Sequence, residues 1–416
     1  MQRNHTKVAQ LSLALLLAWG CDTEEAQDIA VDPAPIILIS MDGFRWDYLD
    51  RVATPNLDYL SEMGVTATAM IPVFPSLTFP NHLSIITGRY PENHGIVHNR
   101  MWDGVFQEWY TIGAGSAPVA DGKWYEAEPF WVTVEKAGLI AAIYHWPGSE
   151  AEIMGYRPSH YYLFDPAVTN TTKVDKVLEW LDLPAAERPA FIAIYFNDAN
   201  YYGHLLGVQG NALDSVIQGL DDDIGQLLAG LEQRGIVDGV NIIVVADHGM
   251  VDLDEQQVIF LDDYITLQNL EYYSLGPLSF ISPPVSDVEA IYNALHNAHP
   301  NFNVYLKDAL PAHHHYGNHR RIPAIVGIPD EGWYVLTRSY FQNFGLGGRL
   351  ATHGYDPLIS SMQAIFLAAG PHFKKGLTVP KFENIHIYEL LTHILNLQAA
   401  PNDGSLDSVR VMLAVP

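Results

Sequence analysis

The sequence is poor in cysteine and in basic residues. The first shortage excludes disulfide bonds within the chain, and the second argues against strongly anionic partners. Cys21 is the only cysteine among 416 residues, so no disulfide can form within the chain. The chain carries 22 Lys and Arg against 48 Asp and Glu, a formal net charge of -26. This balance argues against a nucleic-acid duplex or an anionic membrane surface as the main partner, because both need a basic footprint. A small anionic substrate would need local positive charge, for which bound cations are the obvious source.

Long apolar runs are also missing. The run at residues 8–19 is too short for a permanent membrane helix, and its basic flank is typical of a targeting segment. The position of Cys21 resembles a bacterial lipoprotein cleavage site, where a lipid would tether the mature chain to a membrane. A plain secretory signal with an incidental cysteine is the alternative. We expect residues 1–21 to be a signal segment, residues 22–34 a polar tether, and the protein to be exported to the periplasm or cell envelope.

The remaining composition, 48% hydrophobic and 17% charged, permits a sizeable core. Short and dense apolar runs predict buried parallel strands at residues 35–40, 139–144, 190–196, 240–246 and 364–369. Helical periodicity between them, for example at 213–231 and 387–397, predicts a layered α/β fold with a mostly parallel central sheet. Residues from about 259 to 343 are less regular, and we expect them to form a small inserted cap on a domain spanning 35–416.

Three of the predicted strands, the first, third and fourth, run directly into oxygen or imidazole side chains. These side chains are Asp42 after the first strand, Asn200 and His204 after the third, and Asp247 and His248 after the fourth. Ligands of a parallel sheet bind outside the carboxyl ends of its strands, so these groups are expected to meet. A single aspartate there more often caps a helix or a turn, but three such strand ends together favour a metal site. The histidine tract 313–315 could also bind metal, although a solvated loop is the commoner explanation.

Thr78, within the segment 72–99, is the candidate nucleophile. A threonine hydroxyl is a poor nucleophile at neutral pH unless a base or a metal ion takes its proton. Six blocks of the sequence, in order, resemble the nucleotide pyrophosphatase/phosphodiesterase family of the alkaline phosphatase superfamily. They are Asp42-Gly-Phe-Arg, Thr78-Phe-Pro-Asn-His, the stretch 88–99, Gly203-His204, Asp247-His-Gly-Met and His353-Gly-Tyr-Asp. The resemblance runs from about residue 35 to the C-terminus.

The resemblance implies an alkaline-phosphatase-like α/β/α fold and a catalytic site with two zinc ions. One zinc would be held by Asp42, Asp247, His248 and the Thr78 oxygen, and the other by His204, His353 and the position of Asn200. In the implied mechanism Thr78 attacks the phosphorus of a diester or anhydride, a covalent phosphothreonine ester forms, and water hydrolyses it. Zinc favours carboxylate and imidazole ligands, in agreement with the residues at the strand ends.

The resemblance also assigns substrate contacts. The Asn99 side chain and the Phe79 backbone N–H would donate to the phosphate oxygens, and an uncharged donor suits a monoanionic diester. Phe79, Tyr156 and Tyr161 are candidates for a slot that holds a planar base. The leading hypothesis is a phosphodiesterase of nucleotides or nucleotide-like diesters. A headgroup-releasing phosphodiesterase of glycerophosphodiesters or lysophospholipids is the alternative, since an aromatic cage also binds choline; a non-catalytic binding protein with this fold is another.

Asn200 departs from the family pattern, in which an aspartate four residues before the histidine is a zinc ligand. An amide oxygen is a weaker zinc ligand than a carboxylate. Two zinc ions with Asp42 and Asp247 would leave the site at about +2 instead of about +1. Three hypotheses follow: Asp198 in the same loop replaces the missing ligand, the second site holds its metal weakly, or the chain is a variant with impaired turnover.

Overall fold

The apolar runs of the sequence form a central eight-stranded sheet in the computed structural model, which describes residues 34–414. In the order in which they lie side by side, its strands are β19 (Leu377–Val379), β2 (Gly64–Ala67), β18 (Phe366–Ala369), β9 (Asn241–Val245), β1 (Ile36–Met41), β8 (Phe191–Phe196), β6 (Ala141–Tyr144) and β7 (His160–Tyr162). The central strands β1, β8 and β9 are buried along their whole length. A strand covered on both faces reads as a continuous apolar run, which is why the sequence pattern located these strands.

The sheet is mostly parallel, with one reversed strand. β1 runs parallel to both β8 and β9, so that Ile39 lies beside Ile194 on one side and Val244 on the other. β18 is antiparallel to both of its neighbours, β9 and β2. The prediction of a parallel strand at 364–369 is therefore wrong in direction. An apolar run reports burial, and burial is the same whichever way the strand runs.

Two groups of helices pack separately, as expected for layers on the two faces of the sheet. One group contains α1 (Pro55–Met63), α5 (Asn170–Leu181), α6 (Asp198–Leu206) and α7 (Asp214–Gln233). The other contains α2 (Thr78–Thr87), α3 (Pro91–His94), α4 (Phe130–Lys136) and α10 (Ile387–Ile394). α7 agrees with the predicted helix at 213–231 to within two residues. α10 ends three residues before the predicted boundary at 397, because Asn396 adopts a positive φ of 52°.

The segment expected to be an irregular cap contains a regular sheet of its own. Its antiparallel strands lie in the order β12 (Tyr272–Ser274), β13 (Ser279–Ser282), β15 (Ile325–Pro329) and β14 (Phe302–Leu306). Beside them are α8 (Val288–Leu295), α9 (Arg338–Phe344) and the parallel pair β11 (Val258–Phe260) and β16 (Tyr334–Leu336). Phe280 and Val326 belong to the main core, whereas the adjacent Ile281 and Ile325 belong to a smaller cluster. Alternate side chains of a strand point to opposite faces, so this sheet joins the two cores.

The remaining strands form three short pairs: β3 (Met70–Ile71) with β20 (Phe382–Glu383), β4 (Arg100–Asp103) with β5 (Glu108–Thr111), and β10 (Val251–Asp252) with β17 (Ala351–Thr352). The predicted signal segment 1–21 and the predicted tether 22–34, apart from Ala34, lie outside the described residues. Within residues 34–414, no helix has the length and apolar character needed to cross a membrane.

Candidate active site

The carboxyl ends of β1 and β9 bring a set of predicted metal ligands together. Asp42, Asp247 and His248 are fully buried. His248 Nε2 lies 3.0 Å from Asp247 Oδ2 and 3.5 Å from Asp42 Oδ1. Thr78 Oγ1 lies 3.3 Å from the same nitrogen. Four donor atoms from three separate segments of the chain therefore converge on one point beside the candidate nucleophile.

Thr78 is held at the first turn of α2 by the motif that follows it. Asn81 Nδ2 donates to the backbone carbonyls of Pro75 and Leu77, and Asn81 Oδ1 accepts the N–H of Val73. These bonds fix the chain that leads into the helix. His82, one turn after Thr78, is fully buried and contacts Thr78 O through Nδ1 at 2.9 Å. The motif thus contributes both the candidate nucleophile and its fixed position.

The second group of predicted ligands comes from α6 and from the loop after β17. Asn200 and His204 are four residues apart on α6, so their side chains lie on the same face of the helix. The His353 ring stacks on that of His248 with 3.5 Å between centroids, and lies 5.2 Å from that of His204. His204 Nδ1 and His353 Nδ1 each face a backbone carbonyl oxygen, at 2.8 Å and 2.9 Å. Such bonds leave Nε2 as the free ligand atom.

The charges and burial of the site residues favour a bound cation. Burial and the neighbouring Asp247 carboxylate raise the pKa of Asp42 to about 7. Burial lowers the pKa of His204 to about 4 and that of His353 well below its usual value, so both imidazoles are neutral and competent as ligands. Three buried oxygens, Asp42 Oδ1, Asp247 Oδ2 and Asn200 Oδ1, make no hydrogen bond within the described part of the chain. Buried polar atoms are normally satisfied, and bound divalent cations would satisfy these. The donor set therefore fits metal ions.

Asp198 lies away from this donor set. It precedes Asn200 by two residues, and a rotation of about 200° around the helix axis separates the two side chains. Asp198 Oδ2 accepts a hydrogen bond of 2.8 Å from Asn170 Nδ2, and Asn170 also donates to Asp223. Both acidic residues line a different cavity between α5, α6 and α7. This position contradicts the hypothesis that Asp198 replaces the missing ligand.

A cavity of about 420 Å³ opens next to the donor atoms. It is lined by the donors Asp42, Thr78, Asn200 and His204 and by a largely apolar wall that includes Phe79, Ile112, Val119, Trp146, Phe164 and Tyr201. Tyr156 and Tyr161, expected in a base-binding slot, are not among the lining residues. Tyr156 closes a turn with Ile153, and Tyr161 lies on the edge strand β7, beneath the Arg157 guanidinium. Phe164 and Tyr201 line the cavity, whereas Tyr156 and Tyr161 do not.

Asn99 and the Phe79 backbone N–H, both expected to donate to the phosphate, bond to each other in the structure. The Phe79 N–H donates to Asn99 Oδ1 at 3.1 Å. This bond orients the amide and leaves Nδ2 as its free donor. Both groups lie beside the N-terminus of α2, where the positive end of the helix dipole favours an anion.

Two residues at the site were missed by the sequence analysis. The Tyr195 hydroxyl donates a short hydrogen bond to Asp42 Oδ2, the oxygen that does not face His248. Arg349 lines the cavity on the side of His204. Tyr195 carries the only hydroxyl group in the apolar strand β8, and this polar group was the only feature of the sequence that could have indicated its role. Arg349 lies in a Gly-rich loop without any pattern.

A phosphodiester hydrolase with an alkaline-phosphatase-like α/β architecture is the class that this fold and site define. A family model described as type I phosphodiesterase / nucleotide pyrophosphatase matches residues 36–356. The chain belongs to the type I phosphodiesterase / nucleotide pyrophosphatase family, and the family is one of phosphodiester-cleaving enzymes.

Relatives agree over nearly the whole described chain. An uncharacterized pyrophosphatase/phosphodiesterase of Schizosaccharomyces pombe is 39% identical over 382 residues, which cover 89% of this chain and 79% of the relative. Human ectonucleotide pyrophosphatase/phosphodiesterase family member 5 is 34% identical, with 92% of this chain and 78% of the relative covered. The solved murine family member 5, an inactive threonine-to-alanine variant in complex with AMP, has a TM-score of 0.86 at 34% identity. It covers 91% of this chain and 100% of the murine one.

Proposed function

We propose that this protein hydrolyses the phosphodiester or phosphoanhydride bond of nucleotides or nucleotide-like diesters, with Thr78 as the nucleophile and two zinc ions as cofactors. The observation that carries the proposal is the position of Thr78 Oγ1, 3.3 Å from His248 Nε2 and beside buried carboxylate oxygens that have no hydrogen-bond partner among residues 34–414. Asp42, Asp247, His248 and Thr78 would hold one ion, and Asn200, His204 and His353 the other. When bound, the ions would promote ionisation of the threonine hydroxyl and offset charge on the phosphate and its leaving oxygen.

The residues of the chain have separate roles in the proposed reaction. Thr78 Oγ1 attacks phosphorus, and the bond to the leaving oxygen breaks as the phosphothreonine ester forms. Asn99 Nδ2 orients the non-bridging oxygens, with its amide held in place by the Phe79 N–H, and the apolar wall limits access of competing water. Attack by water on phosphorus then breaks the ester and restores the hydroxyl. Because Thr78 is only 7% exposed and sits at a fixed helix start, positioning supplies much of the rate.

Nucleotides are favoured as substrates by the cavity and by the solved relative. Phe79, Phe164 and Tyr201 offer aromatic surface on which a planar base can stack. The murine relative with AMP, inactive after a threonine-to-alanine change, supports both a nucleotide ligand and a threonine nucleophile. The same surface next to Glu150 would suit a cationic headgroup, so the experiment includes a phosphocholine ester.

The test compares Thr78→Ala and Thr78→Ser on a nitrophenyl nucleotide ester and on nitrophenyl phosphocholine. We expect Thr78→Ala to lose at least about a thousandfold in kcat and Thr78→Ser to retain measurable turnover. Peptide mass spectrometry after an acid quench should detect the nucleotidyl group esterified to residue 78 of the wild type. Full activity of Thr78→Ala would exclude the nucleophile, and absent turnover with intact AMP binding in the wild type would favour a binding protein. Faster release from the phosphocholine ester would favour the headgroup phosphodiesterase.

A further inference from the structure

A second cluster of metal-binding side chains lies outside the active-site cavity. His313 and His314 both direct Nε2 toward one carboxylate oxygen, Asp356 Oδ2, at 3.0 Å and 2.9 Å. One ligand atom from each of the three residues lies within 4.8 Å of the other two. Two of the three rings of the histidine tract are therefore anchored on a single carboxylate, unlike the rings of a solvated loop.

The separations of these atoms are close to those of a metal-ligand set. In a tetrahedral zinc site with bonds of about 2.0–2.2 Å, neighbouring ligand atoms lie about 3.3–3.6 Å apart. Each of the two N–O separations would have to lengthen by only about half an ångström for a cation to replace the protons between the imidazoles and the carboxylate. His313 is 44% exposed, so the cation has a path from solvent and water can complete its shell.

The surface around the cluster is selective for positive charge. Asp356, Asp330 and Glu331 all line a concave region of about 570 Å³, and none of the described residues that line it is a lysine or an arginine. Burial acts to raise the pKa of Asp356, but hydrogen bonds from His314 and His313 outweigh it and keep that pKa below its usual range. The central ligand is therefore a carboxylate at neutral pH.

The His314 ring is already held in place. It is buried, and it stacks on Phe74 with 4.1 Å between centroids and 14° between planes. Phe74 lies four residues before Thr78, and Asp356 lies three residues after the predicted ligand His353. The cluster thus joins the inserted sheet, through the loop that carries the histidines, to two segments that form the active site. A ligand set with one fixed ring loses little side-chain entropy on binding a cation.

We propose that His313, His314 and Asp356 form a divalent transition-metal site, separate from the active site, that binds zinc or a cation of similar ligand preference. The site links the inserted sheet to the loop of His353. Imidazole and carboxylate ligands suit zinc, cobalt and nickel rather than magnesium or calcium. The proposal does not depend on how many ions the active site holds, because it concerns the difference in metal content between variants.

The experiment strips the full chain with a chelator, restores Zn²⁺, removes loosely held ions, and measures zinc per chain by mass spectrometry. We expect the wild type to retain one equivalent more than His313→Gln. Glutamine can still donate to Asp356 but is not a zinc ligand, so the hydrogen-bonded cluster survives while the metal site does not. Addition of Zn²⁺ should also raise the thermal midpoint of the wild type more than that of His313→Gln.

His315→Asn is the matched control. His315 belongs to the same tract, but its ring stacks on Tyr90, and its φ of 45° is one that asparagine tolerates. This variant should keep the wild-type zinc content. Equal zinc content in the wild type, His313→Gln and a second variant, Asp356→Asn, would overturn the proposal. A loss in His315→Asn as large as that in His313→Gln would overturn it as well, since the tract would then be a non-specific chelator.

Discussion

At Asn200 a neutral amide lies on the same face of α6 as His204, in the group of side chains proposed to hold the second ion. Its Oδ1 is buried and has no hydrogen-bond partner among residues 34–414. With Asp198 turned toward Asn170, no carboxylate of α6 compensates for the amide. The second ion, which would serve the leaving group, is therefore expected to bind more weakly than the first.

Asn200→Asp should strengthen that second site. A carboxylate adds a charge and a stronger ligand atom, so we expect zinc content to rise toward two per chain and turnover to rise with it. Metal analysis after dialysis and the initial rate on a nucleotide diester measure the two effects. Asp198→Asn, a change of the opposite sense on the opposite face of α6, should leave the zinc content unchanged. Identical zinc in wild type and Asn200→Asp would contradict the weak-site explanation.

The convergence of Asp42, Asp247 and His248 could be predicted because their chemistry resides in the residue type and their meeting point follows from parallel strands. The groups that hold the side chains of the site in place could not be predicted. The hydroxyl of Tyr195 reaches Asp42 across the sheet, and the carbonyls that orient His204 and His353 belong to Ala351 and Ser76. Every residue has a backbone carbonyl, so the sequence does not indicate which carbonyl orients a histidine. A tyrosine in a buried strand cannot be distinguished by sequence from an aromatic residue that only packs in the core.

At the scale of the elements, a glycine that follows β1 allows α6 to pack closely against the end of that strand. Gly43 follows β1 with a φ of +72°, and a Cβ at this position would lie 3.0 Å from the Cα of Asn200. Gly43→Ala should therefore displace the first turn of α6 and reduce zinc at the second site, in addition to about 1–2 kcal/mol of left-handed backbone strain. Zinc analysis and urea unfolding separate the two effects.

Gly138→Ala is the control for Gly43→Ala. Gly138 has a similar φ of +77°, and nothing lies within 4 Å of its added Cβ. We expect it to lose stability through backbone strain alone and to keep its metal. If both variants lost the same amount of zinc, the close approach of Gly43 to α6 would not be what positions Asn200.

The inserted sheet is fastened to the main core by a buried guanidinium. Arg321 donates to Asp103 Oδ2 at 2.6 Å, to Glu126 Oε1 at 3.0 Å, and to the backbone carbonyls of Gly95 and Trp124. Removing one member of a buried ion pair leaves an uncompensated charge, so Arg321→Met should cost about 3 kcal/mol of unfolding free energy. Urea unfolding followed by circular dichroism measures the loss.

Arg320→Met provides the comparison for Arg321→Met. Arg320 pairs with the same two carboxylates, but its side chain is 37% exposed, so its contribution is screened and should be about 1 kcal/mol or less. Equal losses in the two variants would show that burial of Arg321 does not matter. No sequence pattern indicates this pairing, because more than 190 residues separate Arg321 from both carboxylates.

Over the whole molecule, strand positions were predictable from apolar density, whereas the direction of β18 and the sheet inside the insertion were not. Strand direction depends on the path of the connecting chain. In the insertion the strands are short, and β13 and β15 bury one face in each of two cores, so neither a dense run nor a long alternation arises. Features set by distant connections were those that sequence patterns could not predict.

Acid stability of the whole fold depends on histidines that are buried neutral, and His94 is the simplest case to test. It is 1% exposed, and its ring nitrogens contact Ser84, Pro80 and Ile96. Burial, with a smaller contribution from His319, lowers its pKa to about 3 from 6.5. Below pH 6.5 the unfolded chain takes up a proton that the folded chain cannot, so stability falls with pH until about pH 3.

At pH 5 this difference amounts to about 2 kcal/mol for one histidine. We expect His94→Gln to lower the unfolding free energy at pH 7 but to make its decline between pH 7 and pH 5 shallower by about that amount, because glutamine does not titrate. Urea unfolding at several pH values, with a chelator present so that metal release does not contribute, measures the slope. His296→Gln, at an exposed position, should keep the wild-type slope. If His94→Gln did not change the pH dependence of the unfolding free energy, the acid sensitivity would arise from other buried groups. The His94 ring would then be protonated while the protein remains folded.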